Sequence, residues 1–151
     1  MRCASKDEPV LIRRASESDL GRLAEIQALC PEAAQWSKVR DFLSYDVLVA
    51  VPQDSIVGFA VAREIGMGES ELLNLAVAPE WRRRGIGRRL IESLHALRPG
   101  ALFLEVRESN QAARKFYDVL GFQEVGRRTG YYVSPSESAV VMKIHSCYCH
   151  K

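Results

Sequence analysis

The chain lacks any apolar run approaching the ~18 residues of a membrane-spanning helix, and its opening residues, MRCASKDEPV, lack the apolar core of a secretory signal. No membrane partner is therefore expected, and the expected location is the cytoplasm. Cysteine is sparse. The four residues Cys3, Cys30, Cys147 and Cys149 lie near the ends or in a helix and make no disulfide framework, which fits a reduced compartment. The tail Cys147-Tyr148-Cys149-His150 crowds three ligand types into four residues with no distant partner, a poor tetrahedral site, so no metal is expected. A net charge of +2 is too small to draw nucleic acid by bulk electrostatics. Repeats, linkers and low-complexity segments are missing as well.

What is present is ordinary in bulk and uneven in placement. With 151 residues, 47% hydrophobic and 26% charged, one domain over residues 1–151 is expected, with about residues 145–151 as a loose tail. The informative stretch is ELLNLAVAPEWRRRGIGRRL, residues 71–90. It reads as a strand over residues 72–77, a stop at Pro79, a basic turn, and a helix opened by Gly85 and Gly87. Amides at a helix N-terminus have no helical acceptor and sit at the positive end of the dipole. Glycine lets the main chain approach a bulky anion. With Arg82, Arg83, Arg84, Arg88 and Arg89 around it, the turn suits a polyanion, most simply a pyrophosphate. The plainer alternative is a set of solvated arginines on a helix face. No Gly-Lys-Ser/Thr follows, so this is not a P-loop. The third glycine of the dinucleotide fingerprint is also missing.

Periodicity orders the rest. Residues 10–14 read as a strand, after which Ser16 caps a helix carrying Leu20, Leu23, Ile26 and Cys30, with Asp19 in its first turn. Trp36-Ser37 opens a second short helix with Val39, Phe42 and Leu43 as its apolar face. Strands over residues 47–51 and 56–65 follow, joined by Pro52-Gln53-Asp54, and Gly66-Met67-Gly68 turns the chain into the strand of the key stretch. The helix after the glycines carries Ile86, Leu90, Ile91, Leu94 and Leu97, with His95 expected at the surface, and Pro99-Gly100 stops it. In the strand over residues 101–107, Leu102, Leu104 and Val106 face one way, and Phe103, Glu105 and Arg107 the other. A helix over residues 110–120 ends at Gly121. Strands over residues 122–125 and 139–144 close the chain, separated by a polar loop through Tyr131, Tyr132 and Pro135, with His145 an edge-strand or tail residue. The order β-α-α-β-β-β-α-β-α-β-β gives a mixed α/β (α+β) sandwich around one sheet.

The runs LNLAVAPEWRRRGIGRRLIESL and LEVRESNQAARKFYDVLGF resemble the GNAT superfamily of acetyl-coenzyme A-dependent N-acetyltransferases, in its RimI-type ribosomal-protein-alanine branch. Arg82, Gly85 and Gly87 meet the (Gln/Arg)-x-x-Gly-x-(Gly/Ala) signature. The resemblance covers nearly the whole chain and implies a mostly antiparallel central sheet of about seven strands flanked by about four helices. It also implies acetyl-CoA as cosubstrate. The main chain of Leu75, Ala76 and Val77 would pair with the pantetheine arm, and the amides around Arg83, Arg84, Gly85, Ile86, Gly87 and Arg88 would hold the diphosphate. Asn110 would bond the pantetheine through its amide, although a simple helix N-cap accounts for it equally. An ordinary core strand likewise accounts for residues 75–77.

Glu105 is a carboxylate inside the apolar strand LFLEV, a costly placement unless it is paired or useful. One reading leaves it in solvent or paired with Arg107. The other makes it a general base, since a substrate α-amine is largely ammonium at neutral pH and must lose a proton before attack. The resemblance implies the second, with Tyr117 as the acid for the leaving thiolate and as a cofactor-side residue. A packed core tyrosine is the alternative for Tyr117. Donors for the carbonyl oxyanion are implied at the Val77 backbone. No cysteine is placed for an acetyl-enzyme, so direct transfer through a tetrahedral intermediate is expected. Trp36, Tyr131 and Tyr132 match positions that shape the acceptor groove in the branch, with Trp36 equally a core anchor. Gln35, Val133 and Ser138 depart from the branch pattern on the acceptor side. The implied acceptor is a protein N-terminus, such as the terminal alanine of a small-subunit ribosomal protein, with a monomer or weak dimer as the working unit. The rivals are a GNAT enzyme for lysine side chains, small amines or antibiotics, and a non-catalytic acetyl-CoA sensor.

Overall fold

In the computed structural model, which describes residues 9–31, 39–133 and 136–145, these periodicities resolve into seven strands and, among the described residues, three α-helices. The strands are β1 (Leu11–Arg14), β2 (Asp46–Val51), β3 (Gly58–Gly66), β4 (Glu69–Val77), β5 (Ala101–Arg107), β6 (Gln123–Val133) and β7 (Ser136–His145). The helices are α1 (Leu20–Leu29), α2 (Ile86–Leu97) and α3 (Gln111–Leu120). One sheet runs β1-β2-β3-β4-β5-β7-β6, and only β4 and β5 pair in parallel. None of the described helices is long and apolar enough to cross a membrane.

Polar residues mark the starts that lead into α1 and α3, whereas α2 begins at Gly85 with no side-chain cap. The Ser16 N–H donates to Asp19 Oδ2 at 2.8 Å, and a 3-10 turn over Glu17–Asp19 leads into α1. Asn110 Oδ1 accepts from the Ala113 N–H at 3.1 Å and starts α3, which ends at Gly121 in the left-handed region at φ 106°. The short helix expected after Trp36-Ser37 is a 3-10 segment, Val39–Ser44, with Phe42 fully buried. Its opening at Trp36 lies outside the described residues, as does the Cys147-Tyr148-Cys149-His150 tail.

Two cores lie on the two faces of the sheet. On one face, α2 and α3 pack Ile86, Leu90, Leu94, Phe116 and Tyr117 against Leu72, Leu102, Leu104 and Val106. On the other, Leu23 and Ile26 of α1 meet Phe42, Val49, Phe59 and Val61. Burying a Leu, Ile or Phe side chain removes enough apolar area to stabilise the fold by roughly 1.5–3 kcal/mol each. This second core stops at β4. The same face of β5, β7 and β6 has no described helix over it, and it presents Phe103, Glu105, Arg107 and Lys143, whose ammonium lies 5.2 Å from the Phe103 ring centroid.

A bulge in β4 creates the gap between the two halves. Val61 pairs with Asn74 but Ala62 pairs with Leu72, so Leu73 is an extra residue on the β4 side. Leu72 faces the α2 core, Leu73 and Asn74 both lie toward α1, and Leu75 returns to the α2 core. Parallel pairing with β5 ends at Leu72 opposite Leu104. Beyond the bulge, β4 stays bonded to β3 as far as Val77, and β5 stays bonded to β7 as far as Arg107. The sheet therefore splits between residues 73–77 and residues 105–107.

Several expectations are corrected. Tyr131 and Tyr132 lie in β6, not in a loop, because the closing strand is far longer than residues 122–125. His95 is buried at 6% exposure, not at the surface, since α2 packs more than one stripe at its C-terminal end. Burial, and then the charge of His145, lower its pKa. His145 ends β7, an inner strand of the sheet.

Candidate active site

The pyrophosphate turn is built from strain at one point and open space at another. Arg83 (φ 64°) and Gly85 (φ 78°) both take positive φ, which swings the chain from the Pro79–Trp81 turn into α2. Gly85 pays little for this conformation. No atom lies within 4 Å of where a Gly85 Cβ would sit, so the space above the helix start is clear. The first helical bond runs from the Arg89 N–H to the Gly85 carbonyl at 3.1 Å, so the amides of Ile86, Gly87 and Arg88 point out of the helix without a helical acceptor. Gly87 has another reason to be glycine. A Cβ there would meet Phe116 Cζ at 2.9 Å, so its smallness lets α3 approach α2.

The arginines divide their labour. Arg82 turns inward, donating from Nε to the Val77 carbonyl at 3.1 Å and reaching Cys30 Sγ at 3.4 Å; the Cys30 thiol also donates to the Val77 carbonyl. Arg82 thus clamps the end of β4, and the Val77 carbonyl is engaged on the protein side. Arg84 stacks over Trp81 at 4.7 Å, and Arg89 donates to the Val10 carbonyl at 3.3 Å. Arg83 and Arg88 flank Gly85 and Gly87 in the chain and are exposed. Leu75 and Ala76 lie on the split part of β4, with Ala76 buried.

Glu105 stands at the margin of the gap on the uncovered face, with its side chain 14% exposed. Its partner is not Arg107 but Arg128, whose Nη1 lies 2.9 and 3.1 Å from its two carboxylate oxygens. Arg107 instead pairs with Glu137 at 3.2 Å and stacks 4.2 Å over the Tyr132 ring. Arg128 stacks 4.2 Å over Tyr131, and the two tyrosines meet edge to face at 5.1 Å. Tyr132 has its phenol pKa raised, first by burial and then by the Glu105 carboxylate. Tyr131 and Tyr132 are thus brought to the carboxylate, and Trp36 lies outside the described residues.

Tyr117 lies across the sheet. It joins the α2–α3 core between Phe116 (5.2 Å) and Phe122 (5.4 Å), and its hydroxyl has no hydrogen-bond partner among the described residues. Burial pushes its pKa far above the ordinary phenol value, so the hydroxyl stays protonated at neutral pH. Asn110 is a helix cap, as one of its two readings required. Among the described residues no three His, Cys, Asp or Glu side chains gather as a metal site.

Sequence reasoning did not find Arg128 or the Arg82–Cys30 clamp. The trace of the first was visible in RRTGYY, two cations one turn of chain before two aromatics. The second joins residues 52 apart and left no local signal.

Residues 19–122 match the Acetyltransferase (GNAT) family. The chain is 34% identical over 146 residues to the [Ribosomal protein bS18]-alanine N-acetyltransferase of Haemophilus ducreyi, covering 89% of this chain and 99% of the relative. It is 33% identical over 150 residues to the N-alpha-acetyltransferase RimI of Mycobacterium tuberculosis, covering 90% and 92%. Its structure is similar to the crystal structure of the ribosomal-protein-S18-alanine N-acetyltransferase from Escherichia coli, with TM-score 0.74, 29% identity, and 90% and 93% of the two chains covered. With a split sheet, a clear helix N-terminus beside the split and a family match over two thirds of its length, the chain belongs to the GNAT acetyltransferase family.

Proposed function

We propose that this protein transfers an acetyl group from acetyl-CoA to the α-amino group at a protein N-terminus. The observation that carries this reading is the carboxylate of Glu105, at the edge of the β4–β5 gap and on the face of the sheet away from α2 and α3. The turn at Arg83, Arg84, Gly85, Ile86, Gly87 and Arg88 fits a diphosphate, because outward amides and clear space coincide there. Leu75, Ala76 and Val77 offer main-chain groups along the split edge, and Asn110 has a side-chain amide N–H₂ to donate while its oxygen caps α3. When bound, acetyl-CoA supplies the thioester carbonyl that an amine can attack.

The chain's own residues then move two protons. Glu105 takes one from the acceptor ammonium, leaving the nitrogen lone pair free to bond the acetyl carbon. As the carbon–sulfur bond breaks, the Tyr117 hydroxyl gives its proton to the departing sulfur, and the nitrogen of the collapsing intermediate releases its second proton to solvent, from which the Tyr117 phenolate is reprotonated. The Val77 region supplies donors for the oxyanion.

Tyr131 and Tyr132 wall the acceptor approach on the Glu105 face. The carboxylates there, Glu105 and Glu137, are each paired with an arginine, so this face lacks the strongly acidic pocket that a polyamine or aminoglycoside would need, which favours a peptide. The finer acceptor that the relatives suggest is the N-terminal alanine of a small-subunit ribosomal protein. The test is acetylation of short peptides read by mass. Addition of one acetyl to a free N-terminus, abolished by N-terminal blocking, is expected; acetylation of an internal lysine after blocking would remove the assignment.

A further inference from the structure

Past the split, the end of β5 is held from the β7 side. Its ladder with β7 runs to Arg107 opposite Ala139, and one further bond, from the Glu108 N–H to the Ser138 carbonyl at 3.0 Å, carries it on. The next hold comes from a side chain. Glu137 accepts from Arg107 Nη1 at 3.2 Å on one carboxylate oxygen and from the Ser109 N–H at 2.5 Å on the other. Ser109 immediately precedes Asn110, whose N–H closes the turn back to the Arg107 carbonyl at 3.0 Å before α3 begins. The carboxylate thus braces the turn that delivers Asn110.

The same carboxylate reaches the tyrosine wall. β6 is an edge strand, and it is bulged there: Thr129, Gly130 and Tyr131 stand against Ser138 alone, with Gly130 in the left-handed region at φ 65°. Pairing resumes only at Tyr132 opposite Glu137 and Val133 opposite Ser136. With so short a ladder beyond the bulge, the Arg107 guanidinium stacked 4.2 Å over the Tyr132 ring adds to what places that ring. Glu137 holds this guanidinium in turn. One carboxylate therefore reaches Asn110 through Ser109 and Tyr132 through Arg107.

We propose that Glu137 is a positioning residue for both substrates, setting Asn110 toward the pantetheine arm of acetyl-CoA and Tyr132 toward the acceptor peptide. This rests on the acetyl transfer proposed above, with those two residues at its donor and acceptor sides. Glu137 takes no part in the proton transfers and acts through the residues it holds. A carboxylate suits the task because both neighbours are donors and each needs its own acceptor oxygen.

The experiment measures coenzyme A affinity by calorimetry, and kcat and KM for a short peptide with a free N-terminal Ala. Glu137→Ala is expected to raise the coenzyme A Kd and the peptide KM by about fivefold each, part of what a hydrogen bond to a charged group is worth. Its kcat should stay within about threefold of the parent's. Arg107→Gln leaves the Ser109 bond in place, so it should raise the peptide KM and keep the coenzyme A Kd. A structural role alone would lower the melting temperature and the active fraction, seen in kcat, with Kd and KM unmoved. An unchanged Kd or an unchanged KM in Glu137→Ala would overturn the proposal while leaving the acetyl transfer intact. Should that variant not fold, Glu137→Gln keeps the size but offers one acceptor oxygen to two donors. A rise in at least one of the two constants is then expected, and no change in either overturns the proposal. If the parent acetylates no free N-terminus, the α-amine reading falls first and this one with it.

Discussion

Glu105 and Tyr117 lie on opposite faces of the sheet. Glu105 alternates away from Leu104 and Val106, whereas Tyr117 packs into the core that those two residues join. The two proton transfers proposed for Glu105 and Tyr117 would thus fall on separate sides of the sheet, joined through the β4–β5 gap. Replacing Glu105 with Gln keeps its size and removes the base. We expect kcat to fall by about a hundredfold or more, with acetyl-CoA affinity by calorimetry unchanged. Retained turnover would rule out the base.

Tyr117→Phe separates chemistry from packing. The hydroxyl has no hydrogen-bond partner among the described residues, so its removal should leave the melting temperature within about a degree or two, a change well under 1 kcal/mol. Turnover should drop by roughly a hundredfold. A drop in stability with turnover kept would make Tyr117 a core residue only.

The two glycines of the turn should fail differently. Gly85→Ala forces a side chain into φ 78° but meets no atom, so it should cost about 1 kcal/mol of stability and weaken coenzyme binding. Gly87→Ala drives a methyl into Phe116 and should cost about 1–3 kcal/mol as α2 and α3 separate. Denaturant melts with and without coenzyme A measure both.

Asn110 has two roles that one substitution can part. Asn110→Ala loses the cap and about 1 kcal/mol. Asn110→Ser restores a cap oxygen but not the amide donor. Its stability should therefore recover while coenzyme affinity does not, as titration calorimetry would show.

Acid stability should report on Asp19. The Arg13 guanidinium, together with the Ser16 N–H and against the cost of burial, holds the Asp19 pKa down at about 2, below its ordinary 3.8. A folded-state pKa below the unfolded one adds stability above pH 4, and this is lost as pH falls from about 4 to 2. Asp19→Asn should cost about 1 kcal/mol at neutral pH. Its unfolding curve and the parent's should converge near pH 2.

The local grammar of the chain was legible wherever one element carried its own pattern. The stripe of α2, the alternation of β5, the left-handed Gly121 and the strand-to-helix turn at Gly85 all stood where periodicity and turn chemistry put them. Contacts between distant strands were not legible. Nothing near Glu105 in the chain names Arg128, because β7 lies between them and only its register brings the two together. Nor does the apolar run of β4 reveal that Leu73 is an extra residue, since a bulge is defined by the partner strand. His95 was misplaced for a similar reason: its burial near the end of α2 depends on what the helix packs against and not on helical phase alone.

The Leu73 bulge means that the opening is a fault in pairing, made without breaking either flanking ladder. Both lips of the sheet stay stitched, β4 to β3 and β5 to β7, right up to the aperture. Donor and acceptor can then meet through a fixed keyhole in the sheet. Deleting Leu73 would let the lips zip together: a sounder sheet, and a locked one.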